Sequence, residues 1–116
     1  MEHKIDFSYL DGVAQVSNET AIELIDYFLL ENNKWLSNLH SSAKNLQSGQ
    51  LSEVLHKLKG AIRVLGLHYI DTFIEAWEQE LKQGNFSRTA QYLKQMDAFF
   101  EIAIIALKKK RNEFLS

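Results

Sequence analysis

The sequence predicts an all-α protein, an up-down antiparallel four-helix bundle with a short additional N-terminal helix. Its 116 residues include no proline and only five glycines, so residues that break helices or bound strands are scarce. Apolar residues recur at three- and four-residue steps along most of the chain, which is the spacing of one face of an α-helix. Short connections separate these segments and favour antiparallel packing of consecutive helices. We expect one domain over residues 1–116, with helices at about 5–16, 18–46, 51–65, 68–83 and 87–114.

The first helix is a short amphipathic segment, and Gly12 is expected to interrupt or end it. The apolar stripe of the second helix consists of Ile22, Ile25, Leu29, Leu36, Leu39, Ala43 and Leu46. Ser17 or Asn18 can cap the start of this helix, because a short polar side chain accepts a hydrogen bond from a free backbone N–H group. The polar stretch 47–50 is expected to close it.

Each of the other three helices also carries an apolar stripe. The third stripe consists of Leu51, Leu55, Leu58, Ile62 and Leu65. This helix stops at Gly66, because glycine readily adopts the backbone conformation that ends a helix. The fourth stripe consists of Ile70, Phe73, Ile74, Trp77 and Leu81, before a break at Gly84 and Asn85. The fifth starts near Ser87 and consists of Leu93, Met96, Phe100, Ala103, Ile104 and Leu107.

Composition excludes several classes of function. The chain has no cysteine, which rules out disulfides, cysteine-based zinc sites and cysteine nucleophiles. Its net charge of -2 offers no electrostatic basis for binding nucleic acid. No apolar run or signal-peptide pattern points to a membrane, so we expect a cytoplasmic protein. The basic run 108–111 lies near the end of the last helix, where cations meet the negative end of the helix dipole, and is interpreted as a solvated helix end.

The third helix carries a histidine on its outer face. At ~100° per residue, His56 lies roughly 140° from the centre of the apolar stripe. Ser52, Gly60 and Arg63 fall within about 40° of His56, and Lys59 falls within about 60°. The helix therefore presents a basic, solvent-facing surface with a histidine at its middle.

Gly60 needs an explanation, because a glycine inside a helix costs about 1 kcal/mol relative to alanine. Helical side chains lean toward the N-terminus, so a side chain at position 60 would cover the space beside His56. Glycine at this position would leave the imidazole accessible to another protein. Alternatively, Gly60 relieves crowding between helices and His56 is an ordinary surface histidine.

The spacing of His56, Lys59, Gly60 and Gly66 resembles the signature of histidine-containing phosphotransfer (HPt) domains. The resemblance extends over nearly the whole chain, from the short first helix to the four helices of the bundle. Ile62 departs from the small serine or alanine usual at its position. Because Ile62 belongs to the apolar stripe, we expect this departure to change packing rather than chemistry.

The resemblance implies that His56 carries a phosphoryl group in a multistep His-Asp phosphorelay. It would accept the group from the aspartyl phosphate of one receiver domain and pass it to the aspartate of another. Imidazole is a competent nucleophile near physiological pH, and Lys59 would stabilise the added negative charge. Arg63 and Ser52 are candidates for contact with the partner. Lys57 points about 100° away from His56 and is a weaker candidate for stabilising the phosphoryl charge.

A Glu or Gln often stands twelve residues after the second glycine in this family, and Glu78 occupies that position here. It would hydrogen-bond the imidazole nitrogen that is not phosphorylated, or it is a solvated helix carboxylate.

The chain shows no nucleotide-binding loop and no acidic Mg²⁺ cluster, so it is expected to be a carrier and not an enzyme. We expect no cofactor or metal of its own, since the partner receiver supplies Mg²⁺ in this family. The implied partners of this expected monomer are receiver domains of a hybrid histidine kinase, a response regulator or both.

Two other functions fit parts of the pattern. A helical adaptor would bind receiver-like partners through the same basic face without being phosphorylated. The spacing of Glu53 and His56 matches the Glu-x-x-His pairs of di-iron bundles. That site needs a second such pair and inward-facing carboxylates, whereas both residues face away from the apolar stripe, so the di-iron interpretation is rejected.

Overall fold

The computed structural model describes residues 3–46 and 49–116, and every regular element in them is helical. The helices are α1 (Ser8–Val16), α2 (Asn18–Ser42), α3 (Gln50–Val64), α4 (His68–Lys82) and α5 (Thr89–Leu115). The predicted all-α class is confirmed. No helix in these residues is both long enough and apolar enough to cross a membrane.

The four longer helices form a closed bundle. α2 packs against α3 and α5, α3 packs against α4, and α4 also contacts α5. α1 lies against α2 and buries Leu10 completely. The largest fully buried side chains include Phe28 of α2, Trp77 of α4 and Phe100 of α5, so the core runs along the centre of the bundle.

Residues 3–7 form no regular secondary structure, so the predicted helix over 5–16 begins three residues late, at Ser8. The backbone of this segment pairs with the α3–α4 connection: the Asp6 N–H group donates to the Gly66 carbonyl at 2.9 Å, and the Tyr69 N–H group donates to the Lys4 carbonyl at 3.1 Å. The Asp6 N–H group thereby gains an acceptor that a helix starting at residue 5 would not supply, because the first four N–H groups of a helix have no partner within it.

The prediction that Gly12 would interrupt or end α1 is wrong, because the helix runs through it to Val16. Packing of α1 on α2 compensates for the low helix propensity of this single glycine.

α2 ends at Ser42, four residues earlier than expected. Of the stretch 47–50 that was expected to close it, Gln47 and Ser48 lie outside the described residues.

The buried face of α2 is broader than its predicted stripe, because this helix packs against α1, α3 and α5. It buries Ala21, Ile25, Phe28, Asn32, Leu39 and Ser42, whereas Ile22, Leu29 and Leu36 are half-buried. The buried Asn32 amide donates to the carbonyl of Phe28 at 3.1 Å and to that of Leu29 at 2.9 Å. The predicted cap is present at Ser17, whose hydroxyl accepts a hydrogen bond from the Thr20 N–H group at 3.1 Å.

Candidate functional site

His56 lies on α3 with its side chain exposed to solvent. The same helix buries Leu51, Leu55, Leu58 and Ile62, as the apolar stripe predicts. Within residues 3–46 and 49–116, the imidazole makes no hydrogen bond or ion pair. Its ring nitrogens are therefore open to a molecule that approaches from solvent. Ser52 is exposed one helical turn earlier on the same face.

Gly60 is exposed one turn after His56, and a Cβ atom built there would meet no atom within 4 Å. Crowding between helices, the alternative explanation for this glycine, therefore has no support in the structure. The space above Gly60 is open, which is what an accessible imidazole requires.

Gly66 serves the fold in a different way. Its φ of +71° lies in the left-handed region, and a Cβ atom there would lie 1.7 Å from the Asp6 carbonyl oxygen. Only glycine allows the N-terminal segment to approach the α3–α4 connection this closely. The two glycines of the motif thus have different roles, because Gly66 permits a backbone contact and Gly60 leaves a surface bare.

Lys59 and Glu78 form an ion pair between α3 and α4. The Lys59 Nζ and Glu78 Oε1 atoms are 2.7 Å apart, and each side chain is only 15% exposed. The structure therefore places Glu78 against Lys59 and not against the imidazole of His56, contrary to the expected orienting contact. The alternative of a solvated Glu78 carboxylate is also wrong. α4 packs against α3, and this packing brings the Glu78 carboxylate to the Lys59 ammonium.

Arg63 is bound to α4 as well. Its Nε atom donates to both carboxylate oxygens of Asp71 at 3.1 Å, and its Nη2 atom donates to Glu75 at 2.9 Å. The hydrogen bond to Asp71, followed by the charge of Asp71, raises the pKa of the Arg63 guanidinium. The predicted basic surface around His56 is thus largely neutralised on its α4 side, because carboxylates of α4 hold both Lys59 and Arg63.

Lys57, the weaker candidate from sequence, makes no ion pair within the described part of the chain. It borders a shallow depression between α2 and α3, here called the α2–α3 groove, which is also lined by Tyr27, Trp35, Gly60 and Ala61. Tyr27 is 57% exposed, and its ring packs edge-on against Trp35. The sequence did not indicate Tyr27 and Trp35 as site residues, because neither belongs to the apolar stripe of α2. The signal that could have identified them is the presence of two aromatic residues outside that stripe.

The other histidines serve contacts between elements. His3 packs edge-on against Tyr69 and Phe99, and His40 Nε2 lies 3.0 Å from a carboxylate oxygen of Asp97. The residues that the structure describes contain no group of three or more His, Asp or Glu side chains placed to hold a metal ion.

The basic run at the end of α5 is less solvated than its sequence suggests. Lys110 Nζ lies 2.7 Å from a carboxylate oxygen of Asp11 on α1, and Arg111 Nε donates to Asp26 on α2 at 2.6 Å. The hydrogen bond to Asp11 raises the pKa of Lys110. These two cations therefore join α5 to α1 and α2 instead of facing only water.

Comparison with known proteins identifies the family. The sequence model of the Hpt domain matches residues 23–108, which include α3 with His56. This chain belongs to the Hpt domain family. It therefore has a histidine phosphotransfer role in phosphorelays, in which Hpt domains interact with receiver domains.

A solved structure shares the fold. The crystal structure of histidine-containing phosphotransfer protein B (HptB) from Pseudomonas aeruginosa PAO1 is similar to this Hpt domain, with a TM-score of 0.83. The two chains are 23% identical, and the match covers 94% of this chain and 95% of that one. No curated protein sequence matches this chain significantly.

Proposed function

We propose that His56 accepts a phosphoryl group from the aspartyl phosphate of one receiver domain and passes it to the aspartate of a second receiver. The observation that carries this proposal is the exposed imidazole on α3, beside a glycine that leaves it uncovered. A ring nitrogen attacks phosphorus, a P–N bond forms, and the P–O bond to the aspartyl carboxylate breaks. The carboxylate leaves as an anion, and the reverse attack by a second aspartate regenerates the free imidazole.

In this proposal the domain is a carrier and not an enzyme. Phosphoryl transfer requires a metal ion and positioned positive charge. The receiver supplies Mg²⁺ and an acidic pocket, while this chain supplies the nucleophile and a nearby cation, Lys59. Ion pairing holds Lys59 beside the site in the unphosphorylated protein, so its side chain is already ordered when the phosphoryl group arrives.

The receiver would dock on the exposed face of α3 around Ser52, His56 and Gly60, and on the adjoining α2–α3 groove. Lys57 makes no ion pair with the residues that the structure describes, so it is available to an acidic partner. The exposed ring of Tyr27 adds apolar contact area beside it. We expect a monomer that forms transient complexes with receivers of hybrid histidine kinases or response regulators.

Transfer from a phosphorylated receiver tests the proposal. Wild-type protein should acquire acid-labile, base-stable phosphate, and His56→Gln should acquire none. His40→Gln and His68→Gln are matched controls, because both remove another partly exposed histidine, and both should be labelled like wild type. Label that persists in His56→Gln would overturn the assignment. Binding to receivers without any label on the wild-type protein would favour the adaptor function.

A further inference from the structure

The ion pair between Lys59 and Glu78 stands beside the proposed phosphorylation site. Lys59 follows His56 by one helical turn on α3, and Glu78 reaches it from α4 with 2.7 Å between Nζ and Oε1. Each side chain is only 15% exposed, so water and salt screen the pair less than they screen a surface ion pair. The phosphoryl group on His56 would therefore meet a lysine whose charge is already compensated.

The chemistry of the ammonium group allows it to serve both anions. An ammonium has three N–H donors, and one directed at Glu78 leaves two for phosphoryl oxygens. The carboxylate, however, carries a negative charge that opposes the negative charge of the phosphoryl group. Lys59 stabilises the phosphorylated state while Glu78 offsets part of that stabilisation.

We propose that Glu78 sets how strongly this domain retains its phosphoryl group, by compensating the charge of Lys59. Glu78 contacts Lys59 and not the imidazole, and its negative charge acts on the phosphoryl group without touching it. A carrier must release the group to a second receiver, and a fully uncompensated lysine would hold it too tightly. The inference rests on the proposed phosphorylation of His56.

The equilibrium constant for phosphoryl exchange with one fixed receiver tests this role. Glu78→Gln keeps the shape and an acceptor for Lys59 but removes the charge, and it should shift the equilibrium toward the phosphorylated domain by roughly three- to tenfold, the effect expected of one unit charge in a partly solvated site. Glu80→Gln is the matched control. Glu80 is also on α4 and is also paired, with Arg88 at 3.1 Å, but it faces away from α3 and should leave the equilibrium unchanged.

The lysine provides the opposite change. Lys59→Gln leaves an uncompensated carboxylate and should shift the equilibrium toward the receiver, and the double variant Lys59→Gln/Glu78→Gln should recover part of that loss. A merely structural pair would give shifts of the same sign in both single variants. If Glu78→Gln alone does not fold, the change in the equilibrium constant between Lys59→Gln and the double variant measures the effect of removing the Glu78 charge.

The outcomes separate this inference from the proposed function. No label on wild-type His56 with active receivers would refute the proposed function. Normal labelling of His56, together with an exchange equilibrium in Glu78→Gln that is unchanged or shifted toward the receiver, would refute the role of Glu78 and leave the proposed function intact. A shift toward the domain in Glu78→Gln, absent in Glu80→Gln, would establish it.

Discussion

Replacing Gly66 with alanine should destabilise the fold by roughly 2–5 kcal/mol. The left-handed backbone at φ +71° costs about 1–2 kcal/mol for an L-residue with a Cβ atom. The new Cβ would also lie 1.7 Å from the Asp6 carbonyl oxygen, so the N-terminal segment must move away. Its two backbone hydrogen bonds to this connection, those of Asp6 and Tyr69, would be lost at about 0.5–1.5 kcal/mol each.

Urea denaturation followed by far-UV circular dichroism measures this loss, and hydrogen exchange at Asp6 and Tyr69 reports release of the segment. Gly12→Ala and Gly60→Ala are matched controls, because both glycines lie inside helices and an added Cβ meets nothing within 4 Å. Each control should stabilise the protein by about 0.5–1 kcal/mol. A loss below about 1 kcal/mol in Gly66→Ala, with the amide of Asp6 still protected, would refute the reasoning.

Three further predictions concern other sites. Gly60→Gln should leave the fold intact yet slow phosphoryl transfer, and an unchanged transfer rate would contradict the access explanation. Hydrogen bonds from the Tyr92 hydroxyl and from Arg88 lower the pKa of Glu80. The ionised Glu80 carboxylate therefore contributes fully to stability near neutral pH, and this contribution decreases as the pH falls through the folded-state pKa. The difference in melting temperature between wild type and Glu80→Gln should accordingly decrease below pH 4.5. A constant difference down to pH 2 would contradict the stabilising role of the ionised Glu80 carboxylate. Tyr69→Phe should cost about 1 kcal/mol in urea denaturation, because the buried hydroxyl donates to the Phe99 carbonyl at 2.8 Å, and equal stability would show that this bond contributes nothing.

The sequence was a good guide where one helix settles the answer. The direction of His56 follows from the apolar stripe of α3, which buries Leu55 and Ile62 as expected. The cap at Ser17 follows from local hydrogen bonding. Both depend on residues within a few positions of each other, and helical periodicity fixes their relative directions.

The sequence was a poor guide where two elements meet. The late start of α1 comes from backbone pairing of the N-terminal segment with the α3–α4 connection, some sixty residues away. The broad buried face of α2 results from contact with three other helices. Neither feature leaves a periodic signal in its own segment, so neither was predicted.

Several properties of this protein follow from the sequence alone: an all-α chain, an exposed histidine on its third helix, and the spacing that resembles HPt domains. Only the tertiary structure decided the electrostatics around that histidine. The sequence suggests that Lys59 and Arg63 are free cations, but carboxylates of α4 compensate the positive charge of both. The physical reason is that the axial rotation of α4 against α3 determines which charges meet, and this rotation depends on core packing between the helices and not on the periodicity of either one.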